Sequence, residues 1–126
     1  MSSNVLLPDT TAVADGQGAA RDIGLQAAFR QILTLEITRI SEHQLLEVSV
    51  WTSWDGLSWD SSPIAKFPPK FCCGTSSMPL DLSARANAKF VRVRWKMTRS
   101  PKDAAASVCD FHVSMEEPTK MRAAVA

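Results

Sequence analysis

Lys89-Phe90-Val91-Arg92-Val93-Arg94-Trp95-Lys96-Met97-Thr98 is the stretch that decides the fold. Val91, Val93, Trp95 and Met97 alternate with Phe90, Arg92, Arg94 and Lys96. An extended backbone sends successive side chains to opposite sides, so this run is a strand with one apolar and one cationic face. The same period recurs on either side of it. Leu33, Leu35 and Ile37 alternate with Thr34, Glu36 and Thr38 in residues 31–39, and Leu46, Val48 and Val50 with Glu47, Ser49 and Trp51 in residues 45–52. Near the end Cys109, Phe111, Val113 and Met115 alternate with Asp110, His112, Ser114 and Glu116. Strands with one dry and one wet face belong to antiparallel sheets packed on a single core.

Shorter strands are expected at residues 19–23, 64–67 and 78–82, which brings the total to about seven, joined by turn-rich segments. No segment carries a convincing helical stripe, and residues 24–29 are too few for a helix standing alone. The expected fold is all-β: a two-layer, jelly-roll-like antiparallel sandwich over residues 19–117. Residues 1–18, with Pro8, Gly16 and Gly18 among small polar residues, read as an extended N-terminal arm, and residues 118–126 as a tail. Ser41-Glu42-His43-Gln44 reads as a hairpin, Asp55-Gly56 as a tight turn and Pro68-Pro69 as a strand stop.

The 126 residues suit one domain with a core of its own, and no apolar run approaches the about 20 residues needed to span a bilayer. Fourteen basic and thirteen acidic residues leave a net charge of +1, which argues against a nucleic-acid partner and leaves little repulsion against self-association. The first residues lack a secretion signal, so synthesis and folding in the cytoplasm are expected. Three cysteines (Cys72, Cys73 and Cys109) are an odd number and read as reduced, partly buried small hydrophobes.

Ser53-Trp54-Asp55-Gly56-Leu57-Ser58-Trp59 follows a strand, and Ala88-Lys89-Phe90-Val91-Arg92-Val93 comes later, with Leu80-Asp81-Leu82 between. A strand running into Ser-x-Asp-Gly-x-x-Trp resembles discoidin-like (galactose-binding-like) β-sandwiches, although Phe90 stands where their later strand usually has tyrosine. The order of Gly16–Gly24, the long strand, the turn, the Leu-Asp-Leu strand and the arginine-rich strand also resembles small phage virion-type β-sandwich proteins. The first resemblance implies a glycan-binding module using loop tryptophans, and the second a subunit of a particle.

Catalytic chemistry has few candidates. His43 falls in a turn and His112 on a wet strand face, and neither has metal-ligand spacing. No nucleophile elbow or phosphate-cradling loop is present, so no catalytic residue, metal or cofactor is expected. Asp55, Gly56 and Trp59 read as a structural turn closed by an apolar lid. Trp51 and Trp54 are candidate interface anchors or glycan platforms, set against ordinary packing. Val5, Leu6 and Leu7 on the arm would pair with a neighbouring subunit. Arg92, Arg94 and Lys96 form a stripe for an acidic partner; the plainer alternative is cross-strand pairing with Glu47, Asp110, Glu116 or Glu117. The expected function is therefore a non-enzymatic subunit that binds itself or another protein of an assembly such as a virion or surface layer. The alternative is a glycan-binding module.

Overall fold

A computed structural model describes residues 4–22, 30–41, 44–85, 88–99 and 108–116. The strands in chain order are β1 (Asn4–Ala12), β2 (Gly16–Gln17), β3 (Arg21–Asp22), β4 (Arg30–Ile40), β5 (Gln44–Ser53), β6 (Ala65–Lys66), β7 (Gly74–Asp81), β8 (Phe90–Arg99) and β9 (Cys109–Glu116). A 3-10 turn, Leu82–Arg85, follows β7. One sheet has the order β1-β9-β4-β7 and the other β2-β8-β5-β6, with β3 also pairing with β8. All pairings are antiparallel, and the two sheets form a sandwich.

The four long alternating runs are strands, and their apolar faces are those expected. Leu33, Leu35, Ile37, Leu46, Val48, Val50, Val91, Val93, Phe111, Val113 and Met115 are all buried in one core. Trp95 is partly buried, meets Phe111 edge-on at 5.5 Å and 80°, and so ties β8 to β9 across the two sheets. Cys109 is buried, whereas Cys72 and Cys73 are exposed, and all three thiols are free. Burial, with Asp110 and then Cys73 adding to it, pushes the Cys109 thiol up to about 11, so it packs as an inert apolar group.

Three expectations are corrected. The first is the hairpin at residues 41–44. β4 pairs with β7 and β9, while β5 pairs with β6 and β8, so this link carries the chain from one sheet to the other. Its position is fixed by Ser41, whose amide donates to the Val108 carbonyl (3.0 Å) and whose Oγ accepts from the Val108 amide (2.9 Å). A period-two pattern is satisfied equally by strands side by side or by strands facing each other across a core. Glu42 and His43 themselves, like residues 24–29, 101–107 and the tail at 118–126, lie outside the described residues.

The second correction is the arm. Residues 4–12 are β1, an edge strand of the chain's own sheet, and Leu6 and Leu7 are both buried there while Val5 is exposed. Two adjacent residues face inward because the β1–β9 register shifts between Val5 and Leu7, as a bulge requires. The third is Gly16-Gln17-Gly18, read as the end of the extended arm. Gly16 and Gln17 pair with Trp95 and Arg94 of β8, and the Gly18 amide donates to the Val93 carbonyl (2.8 Å). A Cβ at Gly16 would lie 2.6 Å from the Trp95 ring, so the glycine is there for close approach.

β7 begins at Gly74, before the expected residue 78, and its first residues are exposed on an edge. Burial of β1 has a direct test by urea unfolding. Leu6→Ala and Leu7→Ala are each expected to cost about 2–5 kcal/mol, and Val5→Ala less than about 0.5 kcal/mol. Equally small losses at all three positions would show that β1 does not dock in its own sheet.

Candidate functional site

The outer face of the β2-β8-β5-β6 sheet carries four of the residues singled out in the sequence, Trp51, Arg92, Arg94 and Lys96. Arg92, Arg94 and Lys96 project from β8, opposite Trp51, Ser49 and Glu47 of β5. The pairing is not the expected chain of ion pairs. The Arg94 guanidinium carbon sits 4.3 Å from the centroid of the Trp51 ring, and that of Arg92 sits 4.5 Å from Trp59. Arg92 Nε also donates to the Gly18 carbonyl (3.2 Å), and Trp51 Nε1 to Ser49 Oγ (2.9 Å). A cation over an indole face is held by the ring quadrupole at about 0.5–2 kcal/mol.

One face of the Trp51 ring is covered by the Arg94 guanidinium, so the ring holds that cation in place. Arg94 Nε is buried and makes no hydrogen bond. Glu47 reaches Lys66 of β6 at 3.7 Å. Asp110, offered in the sequence as a partner for the stripe, lies on the opposite sheet, where it accepts from Arg39 Nε at 2.8 Å. Glu116 is also on that sheet, opposite Ile32, and Glu117 lies outside the described residues. An open depression of about 620 Å³ crosses the face, lined by Trp51, Arg94, Lys96, Lys66, Glu47 and neighbouring residues of β2.

The second feature is the loop after β5. Gly56 has φ of 80°, the left-handed region that favours glycine. Ser53 Oγ, buried at the strand end, accepts from the Gly56 amide (2.8 Å) and lies 2.6 Å from the Ser58 carbonyl. Asp55 Oδ1 accepts from the amides of Leu57 (2.8 Å) and Ser58 (2.9 Å). At the base, Thr52 Oγ1 donates to Asp60 Oδ2 (2.6 Å), and the Lys89 amide donates to the Ser53 carbonyl (2.9 Å). Two large apolar side chains face solvent from this braced loop: Trp54, 64% exposed, and Leu57, 86% exposed. The sequence reading singled out Trp54 and passed over Leu57, whose signal was an apolar side chain directly after the Asp-Gly turn.

The outer face of the other sheet has a different character. Asp9 and Glu36 flank His112, with Asp9 Oδ1 2.9 Å from Nδ1 and Glu36 Oε1 3.2 Å from Nε2; the Asp9 approach lacks hydrogen-bond geometry. Among the described residues no group of three or more His, Cys, Asp or Glu is placed to hold a metal ion.

No protein-family model and no curated protein matches the chain. Among solved structures, a chain from the structure of infectious bursal disease virus, Gx strain, superimposes with a TM-score of 0.50 at 7% identity. The match covers 90% of this chain and 31% of that one. The sandwich is thus of a kind found in a virus structure, and the likeness is one of fold.

The turn chemistry sets an acid dependence. Hydrogen bonds from the Ser58 amide, then the Leu57 amide, hold the Asp55 carboxyl below its ordinary 3.8. A carboxyl depressed on folding adds stability that is present above the unfolded value and is lost as pH falls through the folded one. Asp55→Asn should therefore be less stable at neutral pH and lose less on acidification than the parent, as read by thermal melts from about pH 6 to about pH 2. Identical acid profiles would show that the carboxylate does not brace the loop. The Ser83 side chain and amide depress Asp81 in the same direction, and Thr11 and Arg39 depress Asp110, so part of the acid loss remains in the variant.

Proposed function

We propose that the chain is a non-enzymatic structural subunit that docks onto copies of itself or onto a larger, virion-type assembly, with the Trp54–Leu57 loop as its anchor. The observation that carries this reading is the combination of exposure and bracing. A tryptophan and a leucine stand in solvent on a turn whose backbone is fixed by Ser53, Asp55 and Gly56. Exposed apolar side chains on a rigid loop lose little conformational freedom on contact, and buried tryptophans are the commonest centres of binding energy at interfaces. The virus-structure fold match and the near-neutral net charge of +1 agree with a particle subunit.

An open Trp54 ring also suits a second reading, a glycan-binding module of the discoidin-like kind. Saturable sugar binding lost in Trp54→Ala would support it, and a glycan array without hits above background would remove it.

The docking reading is tested by light scattering at high salt, where surface charge attraction is screened. The parent is expected to form a species larger than the monomer, and both Trp54→Ala and Leu57→Ser to lose it while keeping the parental far-ultraviolet spectrum. A parent that stays monomeric, or variants with the parent's mass, would overturn the loop as the anchor.

A further inference from the structure

We infer that the two outer faces of the sandwich are complementary and that copies of the chain stack head to tail, the cationic face of one on the acidic face of the next. This extends the docking reading to surfaces distinct from the Trp54–Leu57 loop. The cationic face belongs to β8, β5 and β6. Arg92, Arg94 and Lys96 occupy every second position of β8, spaced about 7 Å apart as strand geometry dictates. Lys66 lies across Ser49 in the same row as Arg94, and the carboxylates on this side are Glu47, Asp15 at the rim of the depression and Asp22 opposite Phe90, three against the four cations. Among the described residues, Arg94 and Lys96 have no carboxylate within ion-pairing distance. Arg94 is held by its stacking on Trp51, which leaves its guanidinium committed to no acceptor.

The acidic face belongs to β1, β9 and β4 on the other side of the core. Asp9, Glu36, Asp110 and Glu116 share it, with Arg39 and His112 as the opposing groups. Arg30 and Asp81 face each other across β4 and β7 and offset one another. Asp9 is 94% exposed and Glu36 45% exposed, so these carboxylates are available to a partner. Opposite charge on opposite faces of one molecule has a defined geometric outcome. The contact joins two different surfaces, so a stack keeps one unsatisfied face at each end and the association is open-ended or ring-closing.

The magnitude is modest. A face four strands wide and about seven residues long covers roughly 450 Å², below the about 800 Å² per partner of a standard stable interface. The attraction is therefore weak and electrostatic, and fades as the screening length falls from about 10 Å at 0.1 M salt to about 3 Å at 1 M.

The test is made on the full chain carrying Trp54→Ala, so that the loop contributes nothing and its failure is scored separately. By sedimentation velocity at about 0.1 M salt, this chain is expected to associate in a concentration-dependent way and to return to monomer at about 1 M. Adding Lys66→Glu with Lys96→Glu, or Asp9→Lys with Glu36→Lys, should give two chains that are each monomeric at low salt. Mixed in equal amounts, the two should associate again as their parent does, because the intact acidic face of one meets the intact cationic face of the other and the two reversed faces are themselves opposite in charge. Far-ultraviolet spectra matching the parent confirm that the variants fold, and Lys96→Glu alone and Asp9→Lys alone serve as milder versions. A Trp54→Ala chain that is monomeric at low salt, charge variants that associate as their parent does, or a mixture that yields no complex would each overturn the inference.

Discussion

Register between β5 and β8 is the constraint on which the rest of the molecule depends. The two strands pair without a break from Gln44 opposite Arg99 to Ser53 opposite Phe90. Side chains alternate with a period of two, so a slip by one residue would turn Leu46, Val48 and Val50 to water and drive Glu47 and Trp51 into the core. The apolar faces thus fix the pairing, and the pairing then fixes everything outside. It sets Arg94 across from Ser49 and diagonal to Trp51, within reach of the indole, and brings Glu47 opposite Lys96. The surface chemistry is a consequence of core packing.

Each sheet is amphipathic, and the two wet faces differ in sign. The two arginines on one side are placed by stacking on rings, whereas carboxylates on the other are shared between strands through Arg39 and His112. Stacking leaves a guanidinium its outward donors, while a salt bridge uses them. The braced loop beyond β5 adds an apolar element at one end of the same sheet. Charge and apolar contact are therefore carried by separate parts of the surface.

The sequence disclosed the strands whose two faces differ, and it was silent where they do not. β4, β5, β8 and β9 each bury one clean set of alternate residues, so their existence and their inward faces were legible. β7 starts with Gly74-Thr75-Ser76-Ser77, polar on both sides because an edge strand has less to bury, and its first half left no pattern. β1 breaks the alternation with Leu6 and Leu7 together, which is the mark of a bulge but reads as irregular chain. The hairpin expected at 41–44 failed because periodicity shows which way a strand faces and not which strand lies beside it. Asp55 and Gly56 were legible because the turn is local chemistry. The stacking of Arg92 on Trp59 joins residues far apart in the chain, and no local pattern encodes it.

The strand order has a consequence for biosynthesis. β9 lies between β1 and β4, and β8 lies between β2 and β5, so the two strands that come latest in chain order among the described residues are interior members of the two sheets. Until Phe90–Arg99 is made, β5 is paired with the two residues of β6 and the bridge from Leu46 to Lys70, and until Cys109–Glu116 is made β1 has no partner in its sheet among the described residues. The two sheets can be completed only once these strands have been made, and pairing between parts of the chain so far apart in sequence is the kind of topology that folds slowly.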